Sequence, residues 1–231
     1  MSVLRKTGNL LETGIYTVAD GARLVGMPKQ RVRGWIAGYP RTQAPPILDN
    51  DLGWFRDRVA FSFVNLMEIR FLAYFADQGV RVNSIRVMAE EAKRVLRHPH
   101  PFATEIVFKT DGKKIYASTI EKTGDEKLYN LYDRNYEFKP IVAQSLKQGV
   151  IYDPRGLVKA WYPRPETAPN VIMHPRLSFG KPTLKDSGVP TETLAHAAAL
   201  DRPSVVAKWF EIPEKRVLEA VRFERELKNA A

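Results

Sequence analysis

Residues 17–38 constrain the fold more than any other stretch, because they read as two short helices joined by one tight turn. Thr17 suits a helix N-cap, and Asp20 adds both a reciprocal side-chain bond and negative charge near the positive end of the helix. Gly26 can adopt the left-handed conformation that ends a helix, and Pro28 suits the first turn of the next one. This order of residues predicts a helix, a turn at Gly26 and a second short helix.

The second of these helices has one apolar face and one basic face. Val32, Trp35 and Ile36 recur at helical spacing and predict the buried side. The opposite side carries three cations and an amide, with no acid among them, which suits the major groove of DNA. A pair of surface helices with solvated charges is the alternative interpretation. The candidate DNA-binding residues here are Thr17, Lys29, Gln30, Arg31 and Arg33.

The continuation of the chain resembles the MerR-type winged helix-turn-helix. In that family the two short helices are followed by a wing with basic residues and by two further helices joined through a Gly-hydrophobic-x-hydrophobic link. Arg56 and Arg58 match the wing cations that contact phosphate, and residues 79–82 match the link. The resemblance covers residues 14–97. It departs at Gly34, where the family usually carries an aromatic residue that helps to fix the DNA backbone, and a glycine inside a helix costs roughly 0.5–1 kcal/mol.

Composition agrees with an anionic partner. The chain has a formal net charge of +10, and the excess is densest in residues 1–58, where 9 lysines and arginines stand against 5 acids. It has no cysteine, which excludes disulfides, thiolate zinc sites and cysteine nucleophiles. The start of the chain lacks the apolar run of a signal peptide, so a cytoplasmic protein is expected. Charged and amide residues interrupt the apolar stretch 61–75, which predicts a buried helix and no membrane span.

The apolar spacing after the wing predicts two longer helices. The first runs from about residue 62 to residue 78 and stops at Gly79. Asn83 or Ser84 is the expected cap of the second, and the His-Pro-His-Pro sequence at residues 98–101 ends it because proline blocks continuation.

The middle of the chain changes character and alternates apolar with polar residues, which is typical of β-strands. It predicts a small antiparallel sheet with one covering helix, and a proline-rich linker after it. The predicted hairpins span residues 104–118 and 150–162, the further strand residues 128–138, the helix residues 140–148 and the linker residues 163–169.

The last third predicts three helices, with Thr191 capping the first, Asp201 capping the second and Pro213 starting the third. Together with the segments Gly-Lys-Pro-Thr at 180–183 and Gly-Val-Pro-Thr-Glu at 188–192, residues 170–226 resemble the domain of unknown function numbered four-three-three. Members of that family look like VapB-type antitoxins, which are encoded with PIN-type ribonuclease toxins. The resemblance implies a PIN-like ribonuclease toxin as partner.

A toxin of this type has a carboxylate-lined metal site, so an inserted arginine or lysine can block it by a charge-assisted contact. Neighbouring aromatic residues can supply the buried area of such an interface. Solvated cations and core aromatics are the alternative interpretation. The candidate toxin-binding residues are Arg155, Lys159, Trp161, Tyr162 and Arg164 in the middle, and Arg222 and Arg225 in the last helix.

No other chemistry is predicted. His98 and His100 have the spacing of two metal ligands, but no third ligand is near them in the sequence. The Gly-Lys-Pro-Thr segment lacks the second glycine of a phosphate loop, and the carboxylates are too scattered to argue an acid–base pair. We therefore expect no catalytic residue, no metal and no cofactor.

The sequence thus predicts an α+β protein in three parts: a MerR-like winged helix-turn-helix DNA-binding domain over residues 1–100, a small α+β middle over 101–165 and a three-helix domain over 170–231. The predicted function is that of a type II antitoxin, which neutralises its toxin and represses its own operon by binding double-stranded operator DNA. A homodimer is expected, with contacts in residues 170–231, because residues 98–101 shorten the helix through which MerR proteins pair. A MerR-like regulator without a toxin is the first alternative, and an enzyme of unknown type is the second.

Overall fold

The structure of this chain, a computed structural model, describes residues 13–108, 110–132 and 138–229. Most of these residues are helical. Short antiparallel strands form one three-stranded sheet and two two-stranded sheets among the described residues. The predicted α+β class is therefore confirmed.

The first two helices lie where the sequence predicts them. After the short strand β1, Tyr16–Thr17, helix α1 spans Val18–Val25, with a capping box between Thr17 and Asp20. The Thr17 hydroxyl accepts a hydrogen bond from the backbone N–H of Asp20 at 3.2 Å. Gly26, with a φ of +67°, ends the helix. Helix α2 then spans Lys29–Ala37.

A hairpin stands where the wing is predicted. Strand β2, Trp54–Phe55, pairs with strand β3, Arg58–Phe61, and β3 in turn pairs with β1. Because β1 leads directly into α1, this sheet holds the hairpin beside the two short helices. Val59 and Phe61 of β3 are buried, whereas both residues of β2 are exposed.

Two longer helices follow, as predicted. Helix α3 spans Phe63–Asp77, with Ser62 as its N-cap, and helix α4 spans Val82–Leu96. The predicted cap of α4 is wrong, because the N-cap is Arg81 and its backbone N–H donates to the Asp125 carboxylate at 3.1 Å. The acceptor that caps α4 therefore comes from a residue 44 positions away.

The first predicted hairpin of the middle is wrong. A 3-10 helix, Glu105–Phe108, and helix α5, Thr110–Thr123, occupy that stretch. Ile115, Tyr116 and Thr119 are buried, and this spacing is that of one helical face, which packs on α4. The sequence of this stretch allows both the two-residue period of a strand and the period of a helix, and the tertiary contact with α4 favours the helix.

The rest of the middle is partly as predicted. Helix α6, Glu126–Tyr129, replaces the start of the strand predicted over residues 128–138, and a single bridge joins Tyr132 to Phe138. The part of that prediction over residues 133–137 lies outside the described residues. Helix α7, Pro140–Lys147, is confirmed. The second hairpin is also confirmed, as strands β4, Val150–Tyr152, and β5, Val158–Trp161.

The last third contains the three predicted helices. A two-stranded ribbon of β6, Val171–Ile172, and β7, Thr183–Leu184, comes before them. Two predicted caps are wrong, since Pro190 and Arg202 hold the N-cap positions instead of Thr191 and Asp201, and the third helix begins one residue after Pro213. The helices are α8, Thr191–Leu200, α9, Pro203–Trp209, and α10, Glu214–Asn229.

One hydrophobic core runs through the front, the middle and the last third. The predicted linker is packed, with Ala168 buried, and backbone hydrogen bonds join Trp161 to Met173 across it. The last third also contacts the first helices: the Tyr16 hydroxyl donates to the Gly180 carbonyl at 2.6 Å. The two short front helices are therefore supported by the C-terminal part of the chain.

Candidate nucleic-acid interface

The outward face of α2 is basic, as the sequence predicts. Val32, Trp35 and Ile36 are buried against the core, and the four polar candidates of this helix are exposed. Within the described part of the chain, none of its three cations forms an ion pair with a carboxylate. The exposed residues of this face are Lys29, Gln30, Arg31 and Arg33.

Each of the two arginines on this face contacts a neighbouring side chain. The Arg31 guanidinium lies 3.7 Å from the sulfur of Met27, in the turn between the helices. The Arg33 guanidinium carbon lies 5.9 Å from the ring centre of Trp54 on the hairpin, which is within range of a cation–π contact. Arg33 therefore bridges the exposed side of α2 to the hairpin.

Gly34 has a packing role in α2. A Cβ added at this position would lie 1.9 Å from the Cζ atom of Tyr39, so the tyrosine ring occupies the space that a side chain here would need. The MerR-type pattern has an aromatic residue at the position of Gly34. Here the aromatic ring over this part of the helix comes instead from Tyr39, five positions later.

The hairpin adds the two predicted wing cations to the same region. Arg56 and Arg58 are exposed, and Arg56 has a φ of +56°, a conformation that is uncommon for residues other than glycine. The Arg56 guanidinium carbon lies 6.0 Å from the ring centre of Phe55. The contact between Arg33 and Trp54 places this basic hairpin beside α2.

Thr17 is the N-cap of α1, whereas the other DNA-binding candidates lie on α2 and on the hairpin. Its hydroxyl is 2.6 Å from the Asp20 carboxylate, to which it donates, and it also accepts from the Asp20 backbone. The residue is exposed at the start of α1. A contact of Thr17 with DNA remains a prediction.

The sequence analysis did not select two aromatic residues at this interface. Trp54 and Phe55 are 51% and 73% exposed, and they stand next to each other at the end of β2. Their signal in the sequence is an adjacent aromatic pair between Gly53 and Arg56, in a stretch with a strong turn composition. Large apolar side chains in such a position are candidates for contact with a partner.

A partly buried polar cluster lies next to the hairpin. His100 stands between two carboxylates, with Nε2 2.8 Å from Asp51 and Nδ1 3.0 Å from Glu68. Burial by itself lowers the pKa of His100, but the hydrogen bonds to both carboxylates outweigh burial and raise that pKa to about 10. Burial raises the pKa of Glu68. Because Asp51 also accepts from the Ser62 hydroxyl at 2.6 Å, the cluster ties the segment before the hairpin to α3.

The side chains of this cluster bind one another and do not converge on a common point. The two His100 nitrogens point at different carboxylates, and no group of three or more possible metal ligands converges among the described residues. His98 uses its Nδ1 to accept from the His100 backbone N–H at 3.0 Å. The described residues thus offer no metal site at this pair of histidines.

The candidate toxin-binding residues fall into two groups. On the β4–β5 hairpin, Arg155 and Lys159 are exposed, and Arg155 pairs with Asp153 at 3.1 Å. Arg164 pairs with Glu226 of α10 at 3.5 Å, and Arg222 of α10 donates to the Thr167 carbonyl. Arg225 is exposed on the same helix, and Tyr162 is half-buried.

Trp161 is not an exposed anchor. It is 4% exposed, and the Arg70 guanidinium carbon lies 5.2 Å from its ring centre. Arg70 in turn donates to the carbonyls of Leu146 and Ser145 at the end of α7, at 2.7 and 3.1 Å. The expectation that Trp161 supplies interface area is therefore corrected, because its indole is already packed between α3 and the hairpin.

The matches among known proteins include a sequence relative and a solved structure. The chain is 26% identical over 190 residues to a protein of Mycobacterium tuberculosis named "Putative antitoxin VapB45", covering 76% of this chain and 78% of the relative. The crystal structure of Rv2018 from Mycobacterium tuberculosis matches with a TM-score of 0.70 and 23% identity, over 89% of this chain and 96% of that one. This likeness shows that the fold is shared. No family model matches the chain.

No helix among the described residues is both long enough and apolar enough to cross a membrane.

Proposed function

We propose that this chain is the antitoxin of a toxin–antitoxin pair, which acts by binding and not by catalysis. The relative named as an antitoxin supports the general role, since the match extends over three quarters of both chains. The structure supports a second activity, the binding of double-stranded operator DNA and repression of the chain's own operon. The observation that carries this second activity is the exposed basic face of Lys29–Ala37 beside a basic hairpin.

In the proposed complex α2 lies in the major groove. Arg31 and Arg33 contact base edges or phosphates, and Arg56 and Arg58 contact phosphates on either side of the hairpin. The chain works as a cytoplasmic homodimer, because one helix pair covers one half-site and a two-fold symmetric protein reads a palindrome. Light scattering on the purified full chain checks the predicted dimer mass.

The toxin in this proposal is a PIN-like ribonuclease. Its carboxylate-lined site would attract the exposed cations of the β4–β5 hairpin, Arg155 and Lys159, with Tyr162 beside them. The second group, Arg164, Arg222 and Arg225, lies where the middle meets α10 and is the other surface offered to the toxin. Trp161 is left out, because it is buried.

Point variants of the full chain separate the two activities. The gene next to the one for this chain is expressed together with Arg31→Ala/Arg33→Ala, and both cell growth and transcription from the upstream promoter are measured. We expect growth to be rescued as by the wild type, because the toxin surface is intact, while repression is lost. Losing each base-reading arginine costs about 1–3 kcal/mol. The double variant therefore loses about 2 kcal/mol or more of binding free energy, and repression should fall by tenfold or more.

The matched control is Arg202→Ala/Lys208→Ala, which removes two exposed cations from α9 and should change neither readout. The reciprocal variant, Arg155→Ala/Lys159→Ala, should weaken rescue and leave repression intact. If Arg31→Ala/Arg33→Ala represses as well as the wild type, the assignment of α2 to DNA is wrong. If the neighbouring gene product neither harms growth nor co-purifies with the chain, a regulator without a toxin is the better description.

A further inference from the structure

The β2–β3 hairpin exposes an aromatic ring next to its turn. Phe55 is 73% exposed and is the last residue of β2 before the turn. Its cross-strand partner is Arg58, so the ring and this cation share one face of the hairpin. Trp54 pairs with Val59 and therefore points to the opposite face, toward α2 and Arg33. The ring of Phe55 is thus presented to solvent and away from the core.

Positive charge frames this ring on two sides. The Arg56 guanidinium carbon lies 6.0 Å from the ring centre of Phe55, and Arg58 stands directly across the ladder. Within residues 54–61 of the hairpin, the turn residue Asp57 is the one that carries the opposite sign. An apolar protein surface that covered Phe55 would also bury these arginines without partners, which is costly. A polyanion would pair with them, so charge complementarity favours nucleic acid over an apolar protein surface as the occupant.

In the proposed complex, the position of the hairpin beside α2 directs its tip toward the minor groove. Trp54 lies under Arg33 of α2, so the hairpin stands at the side of the helix that is proposed to enter the major groove. A ribbon beside that helix passes over the phosphate backbone and reaches the adjacent minor groove, which is about 6 Å wide and admits the edge of one ring. Proteins that bend DNA use apolar side chains in this way, inserted between base pairs.

We propose that Phe55 is a wedge that enters the minor groove, partly unstacks one base step and bends the bound duplex. This inference rests on the proposed DNA-binding function and adds a role to the hairpin beyond phosphate contact. Arg56 and Arg58 hold the two flanking strands, and Phe55 supplies the apolar contact with the opened step. Specificity then depends in part on how easily the operator bends at that step, with pyrimidine–purine steps preferred.

The test uses the full chain and a DNA fragment that covers the region directly upstream of its gene. Dyes at the two ends of the fragment report bending through energy transfer, and the same samples report affinity. We expect Phe55→Ala to abolish most of the bend and to weaken binding about tenfold, because a stacked aromatic contributes a substantial part of such a contact. Phe55→Leu, which keeps an apolar wedge, should retain most of the bend.

Trp209→Ala is the matched control, since Trp209 is a 60% exposed aromatic residue on α9, in the last third of the chain. It should change neither bend nor affinity, and circular dichroism confirms that each variant is folded. If Phe55→Ala bends the fragment as the wild type does, the wedge is refuted while DNA binding stands. If the wild type does not bind the fragment at all, the proposed function fails and the inference fails with it. If Phe55→Ala instead loses capture of the neighbouring gene product, the hairpin tip contacts protein and the inference is wrong.

Discussion

His100 is a residue whose role depends entirely on its neighbours. Two carboxylates raise its pKa from 6.5 to about 10, so in the folded chain it is protonated at neutral pH. When the pKa of a histidine is higher in the folded than in the unfolded state, its protonation stabilises the fold. This contribution is complete at a pH below the unfolded-state pKa, and it is lost as the pH rises through the folded-state pKa. The window in which His100 stops contributing therefore runs from about pH 6.5 to about pH 10.

We predict that His100→Gln lowers the free energy of unfolding by roughly 1–3 kcal/mol at pH 6 and by much less at pH 10. Urea denaturation of both proteins at several pH values gives the difference, and titrations of groups that do not interact with His100 cancel in it. The Asp51 carboxylate has a lowered pKa, because its hydrogen bonds to His100 and Ser62 outweigh the effect of burial. Its contribution is lost only as the pH falls through that lowered value. An equal loss at pH 6 and pH 10 would contradict a charged His100.

Arg70, which is partly buried, shows why the sequence alone misplaced Trp161 at a toxin-binding surface. It is directed at the carbonyls that end α7, and burial lowers its pKa to about 10. Its guanidinium covers the ring of Trp161, which explains why this tryptophan is part of the core. The tryptophan and the nearby cations share a stretch of sequence, but only the cations reach solvent.

At the scale of elements, α2 carries an unfavourable residue for a local reason. Glycine inside a helix costs roughly 0.5–1 kcal/mol relative to alanine, yet Gly34 leaves the space that the Tyr39 ring fills. The two effects of a side chain at this position therefore oppose each other. Whether a substitution of Gly34 raises or lowers the free energy of unfolding should therefore depend on whether the tyrosine ring is present.

We predict that Gly34→Ala destabilises the wild type but stabilises a Tyr39→Ala background by about 0.5–1 kcal/mol. In the wild type the added methyl displaces the ring, whereas in the background it only improves helix propensity. Free energies of unfolding of the four proteins of this double-mutant cycle give the coupling. A cycle in which Gly34→Ala has the same effect in both backgrounds would show that the ring does not occupy this space.

The stretch 104–118 shows how far alternation alone can be trusted. Its residues allow both a period of two and a helical face, because Ile115 and Tyr116, with Thr119 directly after the stretch, satisfy the second as well. Thr119 and Thr123, which favour strands by composition, donate their hydroxyls to the carbonyls of Ile115 and Thr119 at 2.7 Å. Packing against α4 then selects the helix, and the sequence contains no local signal for that contact.

At the scale of the whole molecule, Glu224 of α10 joins the last third to the front. Its carboxylate accepts from Arg23 of α1 at 3.0 Å and from the Thr191 hydroxyl at 2.5 Å, and the residue is 4% exposed. Fragments that end before α10 would expose the faces of α1 and of the core that this contact covers. The activities of the chain are for this reason better separated by point variants than by truncation.

We predict that Glu224→Gln lowers the free energy of unfolding by about 1–3 kcal/mol, since it weakens two hydrogen bonds to a buried charge. Hydrogen exchange of the α1 amides should also become faster, because the contact holds that helix. Glu226→Gln is the control on the same helix: its partner Arg164 is 3.5 Å away and both side chains are about a third exposed, so the loss should stay below about 1 kcal/mol. If both variants lose the same free energy of unfolding, the α1–α10 contact contributes no more to stability than an exposed ion pair does.

The sequence by itself determined the elements whose start and end signals are local. Thr17 and Gly26 bound α1, Ser62 caps α3, and the exposed cations of α2 follow from the helical spacing of its apolar residues. The second hairpin and the three C-terminal helices belong to the same group. Each of these features depends on residues within a turn or two of one another, so their spacing carries the information.

Only the tertiary structure decided what depends on distant residues. The cap of α4 comes from Asp125, the charge of His100 from Asp51 and Glu68, and the contact of α1 with the last third from Glu224. The exposure of Phe55 and the burial of Trp161 are of the same kind, because both are aromatic and differ only in what packs over them. Which surfaces remain exposed is settled by contacts between residues far apart in the chain, and residue spacing does not encode those contacts.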